Sequence, residues 1–315
     1  MSFVSTAVQG VLEEGQFCAV AASTPNGPHC TPLVFAYSGA RLWLTTSRGS
    51  VKARAWRVDP TTAGLIRHGE LAVTFTGTVK TYDALDKRTW GAAVAGATSI
   101  ARATAGFSRK NARFFAGYAF DARQVPFAWT PPGRVFVGID VERVALVDDD
   151  GVQEGRGRWG GDLVSHPTFR RSSSGSDPLE PLPRDVAMAI GREGSGALAI
   201  SGGRGLAVLP VRWRAEPTAL YAAVPAETLA LASADRDAPV ALTVDTASAW
   251  RARDMVGAMI QGLGSFFVDG EVGSGGKTVG SIARSISPGA GALVRIAPLR
   301  TVWWKGWTSG STVPG

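Results

Sequence analysis

The chain repeats itself. Residues 197–201 (ALAIS) stand opposite residues 19–23 (AVAAS), Gly205 opposite Gly27, Pro210 opposite Pro32, and Leu220-Tyr221 opposite Leu42-Trp43, all at one offset of 178 residues. A single offset held through three strand-like segments marks a duplicated unit, and each copy is expected to fold as the same small domain. Later segments keep the correspondence at changed offsets. Thr76-Gly77 align with Gln261-Gly262, and Arg134-Val135-Phe136-Val137 with Ala292-Leu293-Val294-Arg295. Differences in loop length account for the drift. The Ser- and Pro-rich run 170–183 (RRSSSGSDPLEPLP) reads as a linker. The division expected is an N-terminal unit over 1–150, a linker over 151–183 and a C-terminal unit over 184–315.

Within each unit the elements are short. Residues 17–23, 29–37 and 41–47 read as successive strands of a meander, separated by the turns 25–28 (PNGP) and 38–40 (SGA). In the third strand Leu42 and Leu44 share one face, Trp43 and Thr45 the other. A short helix is expected over 50–58, strands over 62–67 and 71–82, a helical stretch over 110–122 and a long strand over 134–147. The 39 glycines and 18 prolines among 315 residues favour this turn-rich, mainly β architecture over long helices.

Composition narrows the function classes. The net charge of +7 suits an anionic partner, but the basic residues are scattered, without the aromatic-basic ladders of an RNA-binding surface. A small ligand is therefore expected, with no nucleic acid and no membrane. Residues 1–16 lack the basic and long apolar segments of a signal peptide, and no window offers the ~20 apolar residues of a membrane span, so a cytoplasmic protein is expected. Cys18 and Cys30 read as free buried thiols.

The chemistry concentrates in residues 45–54 (TTSRGSVKAR). Gripping a phosphate takes hydroxyl and backbone N–H donors, a cation, and a loop that allows close approach. Thr45, Thr46, Ser47 and Ser50 supply hydroxyls, Gly49 permits the approach, and Arg48, Lys52 and Arg54 supply charge. Ser50 is also placed to cap the helix that follows, a natural seat for an anion. The same residues would equally make a solvated basic turn with an ordinary cap.

The run from residue 11 to 83, with CAVAAS, NGPHCTPLVF and LWLTTSRGSVKARAWRVDP at its heart, resembles the pyridoxamine 5'-phosphate oxidase-like split-barrel superfamily of flavin- and deazaflavin-dependent oxidoreductases. The resemblance implies two tandem six-stranded split β-barrels with short helices, arranged like a homodimer fused end to end. The partner expected besides the substrate is thus the chain's own second half, as a pseudo-dimeric monomer, or a second chain in a homodimer. It further implies a cofactor phosphate on the 45–54 loop, the cofactor being FMN or 8-hydroxy-5-deazaflavin (coenzyme F420), with heme held through His29 or His68 as the alternative. Pro32, Thr45, Thr46, Ser47, Arg48, Ser50, Lys52 and Arg54 form the expected cofactor-binding set, joined by Trp304 and Trp307 of the C-terminal run 301–308 (TVWWKGWT), whose flat rings suit a flavin. Trp303 and, less directly, Trp129 are further aromatic candidates. An oxidoreductase acting on a small organic substrate follows, with a non-catalytic flavin- or heme-binding carrier or sensor as the alternative.

The second copy is an internal control. At the 178 offset, Ser47, Arg48, Gly49 and Lys52 become Pro225, Ala226, Glu227 and Ala230. The cations are gone and an acid has entered, which repels a phosphate. One cofactor per chain is expected. Of the other candidates, His29, His68 and His166 lack metal-ligand spacing, and the glycine-rich run 191–205 lacks the lysine of a phosphate-binding P-loop.

Overall fold

The computed structural model describes residues 5–313, apart from 84, 122, 124, 127–132, 160–176, 218, 235–236, 247–251 and 269–278. The first sheet contains β1 (Phe17–Thr24), β2 (Gly27–Ser38), β3 (Arg41–Ser47), β4 (Thr61–His68), β5 (Leu71–Tyr82), β6 (Arg134–Val147) and β7 (Val152–Arg156). The second contains β8 (Glu193–Gly202), β9 (Gly205–Glu216), β10 (Ala219–Val224), β11 (Asp237–Thr246), β12 (Val256–Val268), β13 (Ala292–Lys305) and β14 (Thr308–Thr312).

Both sheets run in the same order. The first is β3-β2-β1-β4-β5-β6-β7 with β3 also pairing β6, the second β10-β9-β8-β11-β12-β13-β14 with β10 also pairing β13. The extra pairing closes six strands into a barrel and leaves the seventh as an appended hairpin strand. Closure removes the exposed sheet edges that an open meander would carry. The expected mainly β fold of two tandem six-stranded barrels is what forms. Val152–Arg156, inside the segment expected as linker, pair instead with β6; most of the remaining linker lies outside the described residues.

The two sheets also match in register. Ala19 opposes Pro32 in the first barrel and Ala197 opposes Pro210 in the second. Trp43 opposes Ala36, and Tyr221 opposes Arg214. Both barrels bulge at the same point, between Thr76 and Gly77 and between Gln261 and Gly262. There a Cβ would sit 2.2 Å from the Asp140 carbonyl oxygen in one copy and 2.1 Å from that of Ala297 in the other, so glycine is required twice. One alignment needs correction. Leu44 pairs with Val137 and its counterpart Ala222 with Val294, so Val137 corresponds to Val294 and not to Arg295. A one-residue slip in a strand exchanges its two faces, and two runs of small apolar residues read alike at either register.

Helices are few and peripheral. Val51–Val58 begins at the N-cap Ser50, whose side chain accepts from the Ala53 N–H at 3.1 Å. The helical stretch expected over 110–122 is longer and broken, as Ala97–Lys110 and Ala112–Phe120. Among the described residues no helix is long and apolar enough to cross a membrane.

Each barrel has its own core, centred on Phe35, Leu44, Ile66 and Phe75 in one and on Leu198, Leu209, Trp213 and Ile260 in the other. A third cluster joins them, in which Ala21, Cys30, Leu65 and Val147 pack against Ala199, Val208, Ala241 and Met259. Polar groups at this seam find partners across it: Thr74 Oγ1 donates to the Val208 carbonyl (2.6 Å), Thr243 Oγ1 to that of Cys30 (2.8 Å) and Gln261 Nε2 to that of Pro28 (2.8 Å). Both cysteines are free and buried, as expected.

Candidate functional site

At one end of the seam the barrels enclose a cleft of about 360 Å³. The first barrel contributes its β1–β2 surface, the end of β3 and the start of the helix behind it. The second contributes the β13–β14 hairpin. The cleft brings together Pro32, Thr46, Ser47, Ser50 and Lys52 with Trp303, Trp304 and Trp307. Residues from opposite ends of the sequence thus share one space.

The hydroxyls of Thr46, Ser47 and Ser50 in the 45–54 loop lie together at the cleft. Thr46 Oγ1 and Ser50 Oγ lie 3.0 Å apart, and Ser47 opens onto the cleft. Two backbone donors are already used, since the Arg48 N–H donates to the Gly133 carbonyl and the Ser50 N–H to that of Ser47. The cations are placed otherwise than a straightforward phosphate loop would have them. Arg48 turns away to form a bidentate pair with Asp83 at 2.8 Å, with Arg57 3.6 Å from the same carboxylate. The hydrogen bonds from Arg48 hold the Asp83 carboxyl below its usual range. Arg54 is exposed on the helix, away from the cleft lining.

Lys52 reaches the cleft floor but is nearly fully buried. Its ammonium donates to the carbonyls of Val20 (3.3 Å) and Thr31 (3.0 Å) and to Thr31 Oγ1. Three acceptors match the three donors of an ammonium. Burial pulls its pKa down from 10.5 to about 8, so this cation is not uniformly charged through neutral pH, as its sequence context alone would imply.

A cation that the loop motif does not contain takes their place. Arg134, at the start of β6, lines the cleft and donates to Thr45 Oγ1 (2.7 and 3.0 Å) and to the Thr45 carbonyl (2.7 Å). Thr45 thereby positions this guanidinium and does not itself line the cleft. The β3–β6 pairing, which sets Ser47 opposite Arg134, is what brings it in. Its only sequence signal was a basic residue opening a strand.

The opposite wall is aromatic. Trp304 packs over Gly257, where a Cβ would lie 2.4 Å from its ring. Its indole Nε1 is buried with no hydrogen-bond partner among the described residues. Phe17, Phe114 and Met255 extend the apolar surface. His29, in β2, also lines the cleft, and burial lowers its pKa to about 3, helped by the charges of Lys52 and Arg300, so the imidazole is neutral. His68 lies elsewhere, 2.7 Å from Glu14. Trp129 and His166 fall outside the described residues. Among the described residues no cluster of three or more His, Cys, Asp or Glu could hold a metal.

The pseudo-symmetric cleft is smaller, about 160 Å³. Pro210 replaces Pro32, Ala223 replaces Thr45 and Pro225 replaces Ser47, while on the hairpin wall Val147 takes the position of Trp304. Both the hydroxyl loop and the aromatic wall are thus missing from it.

The family profile described as Pyridoxamine 5'-phosphate oxidase matches residues 4–148. No curated protein matches the chain. Similar solved structures include a FAD-binding protein from Mesorhizobium loti, 20% identical, covering 45% of this chain and 94% of that one with a TM-score of 0.34. Another is a pyridoxamine 5'-phosphate oxidase-related, FMN binding protein from Nostoc punctiforme, at 16% identity, 49% and 88% coverage and a TM-score of 0.35. A third is an F420 reductase, at 16% identity, 45% and 98% coverage and a TM-score of 0.31. Over residues 4–148, the first barrel and its flanks, the chain is thus similar to the pyridoxamine 5'-phosphate oxidase family.

Proposed function

We propose that the protein binds one phosphorylated flavin-type cofactor per chain, FMN or the deazaflavin coenzyme, in the larger cleft, and acts as an oxidoreductase on a small organic substrate. The observation that carries this reading is the meeting, across the seam, of a hydroxyl-rich loop and Arg134 with Trp304 and Trp307 of the opposite hairpin. Such a cleft has one end suited to an anion and one suited to a flat ring, the two requirements of a flavin phosphate.

The residues fit the group in detail. The Ser47 hydroxyl and the Arg134 guanidinium offer donors to phosphate oxygens, and Thr46 and Ser50 hold one another in place behind them. Trp304 offers a flat face, and its buried Nε1–H a donor to a ring acceptor. Neutral His29 adds a polar group without adding charge. Trp307, Phe17 and Phe114 keep water from the ring. When bound, the cofactor supplies the hydride chemistry itself, consistent with a cleft in which no acid–base pair stands out.

The stoichiometry of one follows from the second cleft, where Pro225 and Val147 stand at the phosphate and ring positions. Titrating apo protein with FMN and with the deazaflavin coenzyme, followed by absorption, tests the reading. Saturation at about one equivalent of either supports it, while no binding of either, or two equivalent sites, overturns it. Reoxidation of the reduced, bound cofactor by candidate substrates separates an oxidoreductase from a non-catalytic carrier or sensor.

A further inference from the structure

The smaller, pseudo-symmetric cleft has lost its phosphate loop, yet it is not without charge. The corresponding loop carries only Pro225, Ala226, Glu227 and Ala230, but the barrels supply two guanidiniums from strand positions: Arg67 of β4 and Arg212 of β9. Their situations differ. Arg212 is already engaged, 3.6 Å from Asp149 and bonded to Ser195 Oγ at 2.9 Å. Arg67 makes one side-chain hydrogen bond, from Nη2 to the Gly196 carbonyl across the seam, and no ion pair with any described residue. A guanidinium carries five N–H donors. Arg67 is part-exposed in the cleft lining, and a guanidinium placed there without an ion pair has donors to offer an anion.

Burial lowers the Arg67 pKa to about 10, with the nearby charge of Arg212 acting in the same direction. Asp245 is the carboxylate with the strongest influence on it, but makes no ion pair with it, and its own pKa is raised to about 6 by burial. Glu70 and Asp148 also line the cleft. Asp148 Oδ1 is fixed there by donors from Asp150 N (2.9 Å), Gly151 N (3.1 Å) and Gln153 Nε2 (3.0 Å).

These charges select a ligand class. With Arg212 and Asp149 engaged with each other, one cation and two carboxylates remain. A phosphate would meet a single available guanidinium and two repelling acids. A ligand with a carboxylate for Arg67 and an ammonium for the acids satisfies both, and a guanidinium matches a carboxylate in bidentate fashion. We propose that the second cleft is a binding site for a small zwitterion of amino-acid type, its carboxylate on Arg67 and its ammonium toward Glu70 and Asp148. The degenerate half of the duplication thus has a ligand of its own, independent of what fills the larger cleft.

The test is an NMR titration of the full chain with L-alanine, acetate, methylammonium and inorganic phosphate. Saturable L-alanine binding, at least tenfold tighter than that of the other three, is expected. It should fall at least tenfold in Arg67→Met and in Glu70→Gln with Asp148→Asn, and remain unchanged in Ser47→Ala, which alters only the larger cleft. If Arg67→Met does not fold, as judged by circular dichroism, the Glu70/Asp148 variant carries the test alone. No saturable L-alanine binding, phosphate binding more tightly than L-alanine, or affinity unchanged in the folded cleft variants would each overturn the proposal.

Discussion

Replacing Lys52 by methionine tests the most unusual group in the larger cleft. The folded ammonium loses its proton near pH 8, whereas an unfolded lysine does so near 10.5. Between these values the unfolded chain holds more protons than the folded one, so stability rises with pH across that window. The cost of keeping the buried charge is present in full below about pH 8 and gone above about 10.5. At roughly 1.4 kcal/mol per pH unit, the displacement amounts to about 3 kcal/mol. The two buried thiols act in the opposite sense. Cys30 is pushed up to about 11 and Cys18 further, so the folded chain retains protons that unfolded thiols release, and stability falls as pH rises past their ordinary range. Comparing wild type with Lys52→Met cancels the part of this contribution that burial causes; the Lys52 charge also lowers both thiols, so its loss moves them further up and adds to the wild-type gain at high pH. Guanidinium denaturation of both proteins at several pH values between about 7 and 10.5 should show wild type gaining about 3 kcal/mol on the variant. A stability difference that stays constant over that range would refute the reasoning, because Lys52 would then be titrating as it does in water.

Other outcomes follow from the same structure. Arg134→Ala should weaken cofactor binding roughly ten- to hundredfold, as expected for a charge-assisted contact of about 1.5–3 kcal/mol, whereas Arg54→Ala should leave it unchanged; titration of the apo variants checks both. If the anion is held by charge, raising ionic strength should lower affinity, and a flat response would indicate that the tryptophan wall dominates. Gly262→Ala should cost about 1–3 kcal/mol, because its Cβ would meet the Ala297 carbonyl. Gly49→Ala, with open space around it, should cost far less, as thermal denaturation would show. Cys18 and Cys30 should resist thiol reagents until the chain unfolds.

Much of this protein could be read from its sequence. The offset of 178 residues, the strands at 41–47, 71–82 and 134–147, and the cap at Ser50 all rest on patterns confined to a few neighbouring residues, where alternation and capping chemistry are decided locally. The fates of the loop cations could not be read in the same way. Arg48 is taken by Asp83, 35 residues away, and Lys52 by the β1–β2 carbonyls. Arg134 enters because β6 pairs with β3. A long charged side chain reaches whichever acceptor the fold places within range, and that depends on strand pairing between segments far apart in the chain. The two clefts diverge for the same reason: one loop's loss of cations is visible residue by residue, but Arg67 and Arg212 meet at the second site only because two closed barrels are packed face to face.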